Sequence, residues 1–242
     1  MKRCPRRPMA FHLLLLSLLH CIGILPAPAQ QIDESTIIQR IDAAAHARYD
    51  NVISYTVTEH YSVFRGNDET HPAAEMTVKT LYRRGIGKDY TILSQSGSGV
   101  IQKFVLAPLL DSEKNINLPG NIEKSWFTSA NYEMKLKPGG VQQLDGRNCL
   151  AVSMTPKHKA PNMIEGTLWA DAQDGSIVQI EGVASKSPSF LSEPPKVMRH
   201  YTNMNGFSMA THARGQSGSL LFGTTIITID YQGYQVQLLP AK

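Results

Sequence analysis

NCLAVSMTPKHKAPNMIEGTLWADAQDGSIVQIEGV, residues 148–183, reads as three consecutive strands and decides the fold class. Leu150, Val152 and Met154 point one way and Ala151 and Ser153 the other, the two-residue period of a half-buried strand. Thr167 to Asp171 forms a second strand. Asp174-Gly175 supplies a tight turn with positive φ, and Ser176 to Val183 returns antiparallel. The stretch carries no catalytic motif, and hairpins in series point to a binding scaffold before an enzyme.

Outward from this stretch the same period recurs. Tyr132, Met134 and Leu136 alternate with Glu133, Lys135 and Lys137, and further strands fall at Met198–Met204, Ser208–Arg214 and Thr224–Tyr231. Nearer the N-terminus, Ile53, Tyr55, Val57, Tyr61 and Val63 share one parity of a long strand. Strands Met76–Tyr82 and Tyr90–Ser94 follow it. Only two regions have a helical period. Ile37, Ile38, Ile41, Ala44 and Ala45 make an apolar stripe on a helix over Glu34–Tyr49, N-capped by Asp33. Ile101, Phe104 and Val105 lie on the second, which Pro108 interrupts before a short continuation through Leu109 and Leu110.

Residues 1–29 form a secretory leader. Lys2, Arg3, Arg6 and Arg7 give a basic start, Phe11–Leu19 is too short to span a bilayer, and Ala27-Pro28-Ala29 fits a cleavage site after Ala29. His20 stands where a lipoprotein signal wants a small residue before Cys21, which argues against lipid attachment there. The leader takes four of the 24 basic residues and no acidic one, leaving 20 against 20. The basic excess therefore belongs to the leader, and nothing favours a nucleic-acid partner. Cys4 and Cys21 leave with it, so Cys149 stays alone without a disulfide partner. Residues 30–242 suffice for a single domain.

The search for chemistry finds no G-x-S-x-G, H-E-x-x-H, C-x-x-C or phosphate-binding glycine loop. His46, His60, His71, His158, His200 and His212 show no metal-ligand spacing, so neither metal nor cofactor is expected. Asp171 and Asp174 belong to a turn, not a calcium loop.

Counting coverage is more informative. A broad antiparallel sheet with only two helical regions either closes or curves around them, and curving leaves an apolar hollow suited to a ligand. The hollow's wall is expected from Tyr55, Val57, Phe104, Leu106, Leu109, Met134 and Trp169. Core packing explains Phe104–Leu110 equally well, and Trp169 fits either face of its strand. Phe190 and Leu191, in the loop Ser185–Pro195, read as a lid or lipid-touching tip, or as a loop folded back on the sheet.

The runs LDGRNCLAVSMTPK (144–157), GTLWADAQDGSIVQIEG (166–182) and ITIDYQGYQV (227–236), in the order leader, helix, long strand, resemble the superfamily of periplasmic lipoprotein carriers and outer-membrane lipoprotein-sorting proteins. The resemblance implies an α+β fold: a strongly curved, unclosed half-barrel of antiparallel strands, with an N-terminal helix and a short helical lid on the concave face. It implies binding of a lipid or lipoprotein acyl chain without catalysis, by a monomeric periplasmic carrier or sensor that meets an inner- or outer-membrane protein. The alternative is an envelope protein–protein module whose own helices fill the hollow. Those carriers have Arg-Pro soon after the second strand, where this chain has Arg83-Arg84-Gly85, so Arg84 alone is carried over and the lipoprotein-release mechanism is not.

Overall fold

The computed structural model describes residues 33–66, 68–187, 192–219 and 223–240. Residues 1–29, read above as a leader, with Cys21 and Ala29 lie outside the described residues, as do Phe190 and Leu191.

Helix α1 (Glu34–Asn51) starts at Asp33, whose carboxylate accepts the Thr36 amide at 2.8 Å. Ile37 and Ile41 are its fully buried residues. The long strand β1 (Val52–Arg65) follows directly, then β2 (Ala74–Arg83) and β3 (Gly87–Gly97). Next comes a helical run of α2 (Gly99–Ile101), a π-helical turn (Gln102–Leu106) and α3 (Ala107–Ile116). Strands β4 (Tyr132–Leu136), β5 (Gln142–Leu144), β6 (Arg147–Pro156), β7 (Ile164–Asp171), β8 (Ile177–Ala184), β9 (Lys196–Met204), β10 (Phe207–Ser219) and β11 (Gly223–Leu238) complete the chain.

Every strand pair is antiparallel, and the main order is β3-β2-β1-β11-β10-β9-β8-β7-β6-β4, with β5 also on β6. The sheet is not closed: β3 edges one side and β4 the other. Directly opposed residues of antiparallel strands share a face. Tyr61, Ile229, Ala213, Arg199, Ile180 and Leu168 are successive partners across β1, β11, β10, β9, β8 and β7, and so define one side. Both helical regions cover that side. Ile37 and Ile41 pack with Leu150, Val152, Leu168 and Ile180, whereas Ile101, Leu106 and Leu110 pack with Tyr61, Met76 and Val78. This is the curved half-barrel with helices on its concave face.

Two expectations change in detail. Pro108 does not end the lid: helix continues to Ile116, because the π turn shifts the ladder so that the Ala107 amide reaches the Gln102 carbonyl. Pro108 then follows directly on the wide turn, in the first turn of α3. The Asp174-Gly175 turn is looser than a two-residue hairpin. Within it only Gly175 has positive φ (73°), and the Asp171 carboxylate accepts the Gln173 and Asp174 amides. A Cβ on Gly175 would lie 2.3 Å from the Arg40 carbonyl carbon, so this glycine lets α1 lie against the β7–β8 link. The two-residue turns with positive φ at both positions are Asp145-Gly146 and Asn205-Gly206, joining β5 to β6 and β9 to β10.

Candidate functional site

Between the two helix-covered halves of the concave face lies a cavity of about 480 Å³. It exists because α1 becomes thin where it crosses the sheet. Ala43, Ala44 and Ala47 line the cavity in place of larger residues. Opposite them, Tyr55 stacks on Tyr82 with centroids 5.0 Å apart and meets Tyr234 at 5.7 Å. Trp126 closes one side, edge-on to His46 at 5.1 Å.

The wall is not purely apolar, as the sequence had led us to expect. Glu59, Lys88, Glu113 and Arg199 all contribute to it. Glu113 of α3 sits between two cations: Lys88 Nζ of β3 at 3.2 Å and Arg199 Nη2 of β9 at 3.7 Å. This link joins the lid to strands on both sides of the β1–β11 seam. Burial opposes every charge in it, and the charges offset that cost for one another. Lys88 and Arg199 hold the Glu113 carboxyl below its ordinary 4.5 despite its burial. Against burial, Tyr55, Glu113 and Tyr90 raise Lys88 well above its usual value.

Glu59 is 1% exposed and accepts hydrogen bonds from Tyr61 Oη at 2.5 Å and Thr80 Oγ1 at 2.8 Å. Burial, reinforced by Glu59, pushes both Tyr61 and Tyr231 far up, so both phenols stay protonated. Two cavity-lining guanidiniums keep an unpaired donor: Arg48 Nε and Arg199 Nε are buried and meet no hydrogen-bond partner among the described residues. The arrangement offers aromatic faces for an apolar chain and, beside them, fixed cations for a polar group.

Of the expected wall, Tyr55 lines the cavity. Val57 packs beside it in the cluster with Tyr82 and Met209, and Met134 lies in the core beneath α1. Leu106 and Leu109 hold the underside of the lid against β1 and β2. Phe104 points away, 61% exposed, with Lys103 Nζ 5.3 Å from its ring centre. Trp169 pairs with Ala151 and Gln179 on the convex face and donates from Nε1 to Gln142 Oε1 at 3.3 Å, fastening β5. Arg84 binds the Tyr49 and Asp50 carbonyls and so caps the C-terminus of α1. Cys149 is buried, and burial raises its thiol pKa.

Sequence reasoning missed Glu59, Lys88, Glu113 and Arg199. Two carried a signal: Glu59 shares the apolar parity of Val57 and Tyr61, and Arg199 that of Val197 and Tyr201. Among the described residues no three His, Cys, Asp or Glu side chains gather as metal ligands, and no helix is long and apolar enough to cross a membrane.

No family model and no curated protein matches the chain. Among solved structures it is similar to a lipoprotein-sorting protein domain from Vibrio parahaemolyticus, at 13% identity and a TM-score of 0.47, covering 86% of this chain and 94% of that one. A LolA superfamily protein from Nitrosomonas europaea matches at 11% identity and a TM-score of 0.44, over 86% and 96% of the two chains. A DUF1329 family protein from Desulfovibrio piger matches at 12% and 0.39, over 83% and 92%. Likeness at these identities concerns the fold alone.

Proposed function

We propose that this protein is a periplasmic carrier or sensor that binds a lipid or lipoprotein acyl chain, without covalent chemistry, in the cavity over its concave face. The observation that carries the reading is the cavity itself. Its volume of about 480 Å³ falls within the range of roughly 300–1,000 Å³ common for small-molecule sites. It lies between alanines of a helix and the rings of Tyr55 and Tyr234. Each methylene removed from water there contributes about 0.8 kcal/mol. The leader pattern of residues 1–29 supports export, and the resemblance of residues 144–182 to lipoprotein carriers supports the class of cargo.

Native mass spectrometry of the protein purified from the envelope without detergent tests this directly. A discrete added mass that extracts into organic solvent as lipid is the expected result. A bare protein that also refuses a fluorescent acyl probe would overturn the reading in favour of a partner-binding module. Filling the cavity from the helix gives a sharper test. Ala47→Trp and Ala44→Trp should each weaken probe binding by about tenfold or more, with little change in melting temperature. Undiminished uptake by both variants would place the ligand elsewhere.

A further inference from the structure

The charges around the cavity are equal in number but unevenly placed. Lys88, Arg199 and Arg48 line it with Glu59, Glu113 and Asp174, and Asp174 is held at the β7–β8 turn by Arg147 Nη2 at 3.5 Å and by Ser176. Glu59 is further committed to Tyr61 and Thr80, which leaves Glu113 as the carboxylate within reach of Lys88 and Arg199. Glu113 serves the two unequally, at 3.2 Å from Lys88 and 3.7 Å from Arg199. Arg199 Nε and Arg48 Nε have no acceptor among the described residues, though both atoms are buried. A buried donor without a partner costs free energy, and an anionic acceptor in the cavity would relieve it.

From this geometry we propose that the cavity recognises an acidic group, a phosphate or a carboxylate, at Arg199 and Lys88, with Arg48 as a further donor and the rest of the ligand against Tyr55 and Tyr234. The proposal rests on the carrier reading and narrows its cargo to anionic amphiphiles. Arg199 is suited to the role because its planar guanidinium presents donors in a fixed fork that matches phosphate and carboxylate. It is also the charged member of the otherwise uncharged row Tyr61, Ile229, Ala213, Arg199, Ile180 and Leu168 on the concave face. Glu113 occupies the position of the arriving anion in part. An acidic ligand therefore competes with a residue of the lid for the same two cations, and binding loosens α3 from β9.

The test compares dodecyl phosphate, dodecanol and inorganic phosphate as competitors of a fluorescent acyl probe on the exported protein. Dodecyl phosphate should bind about tenfold or more tighter than dodecanol, and Arg199→Gln should abolish most of that advantage by weakening dodecyl phosphate far more than dodecanol. Lys88→Gln repeats the test should Arg199→Gln fail to fold. Glu113→Gln should strengthen dodecyl phosphate binding several-fold, a gain that no unfolding can mimic. Equal binding of the phosphate and the alcohol to the wild-type protein would overturn the anion site and leave the carrier reading intact. Neither amphiphile binding would overturn both. Inorganic phosphate binding as tightly as dodecyl phosphate would retain the anion site, make a free anion its occupant and remove the carrier reading.

Discussion

Glu59 stands where strand β1 alternates apolar residues toward the core, and its carboxylate meets the hydroxyls of Tyr61 and Thr80 at the sheet surface. Replacing it with Leu fits the parity but strands two buried hydroxyls, at roughly 1–3 kcal/mol for each unsatisfied group. We expect Glu59→Leu to lower the melting temperature by several degrees, since about 1 kcal/mol corresponds to ~2–4 °C in a chain of this size. Glu59→Gln, which retains an acceptor, should lose less, as a thermal melt of the three proteins would show. Glu113 makes a pH prediction. Its folded carboxyl releases its proton more readily than the unfolded one, so its contribution is complete above the ordinary 4.5 and is lost as pH falls through the lower folded value. Urea midpoints should separate wild type from Glu113→Gln at pH 7, and the gap should narrow as the pH falls below the ordinary 4.5 and through the lower folded value. An unchanged gap at low pH would remove the ion pair as its cause.

The lid shows how an element departs from its local signals. A proline after Phe104-Val105-Leu106 argues for a break, and the chain instead widens one turn to i→i+5 bonding and runs on to Ile116. That continuation matters, because Glu113 lies beyond the expected stop at Leu110. The extra turn carries the charge that bridges β3 and β9. Leu106 is fully buried against β1 and β2 and anchors the lid rather than walling the cavity. Leu106→Ala should therefore cost about 2–5 kcal/mol and expose the segment 99–116 to limited proteolysis, while Phe104→Ala on the outer face should do neither. Helix α1, by contrast, was legible to within two residues at its C-terminus, since Asp33, Ile37 and Ile41 give cap and stripe directly. Its alanines read as ordinary helix formers; only the sheet beneath shows that their smallness creates space.

At the scale of the molecule, the strands were legible one by one and their order was not. Alternation along 132–136, 148–154 and 177–183 is a local property fixed by which face each residue buries. The pairing of β1 with β11 is fixed by packing between distant segments and leaves no mark in either alone. The faces of short strands were equally hidden: Trp169 looked suited to both, and its indole was settled by Gln142 on β5. The β1–β11 seam has a further consequence. Ser54 hydrogen-bonds Gln237, 183 positions along the chain, and β1, β2 and β3 join the rest of the sheet through β11. Such distant pairings make folding slow. In a chain made N-terminus first, β1, β2 and β3 can find no permanent neighbour beyond one another until β11 has been made. The order of strands thus acts as a timer: β1–β3 wait for β11 before they can join the rest of the sheet.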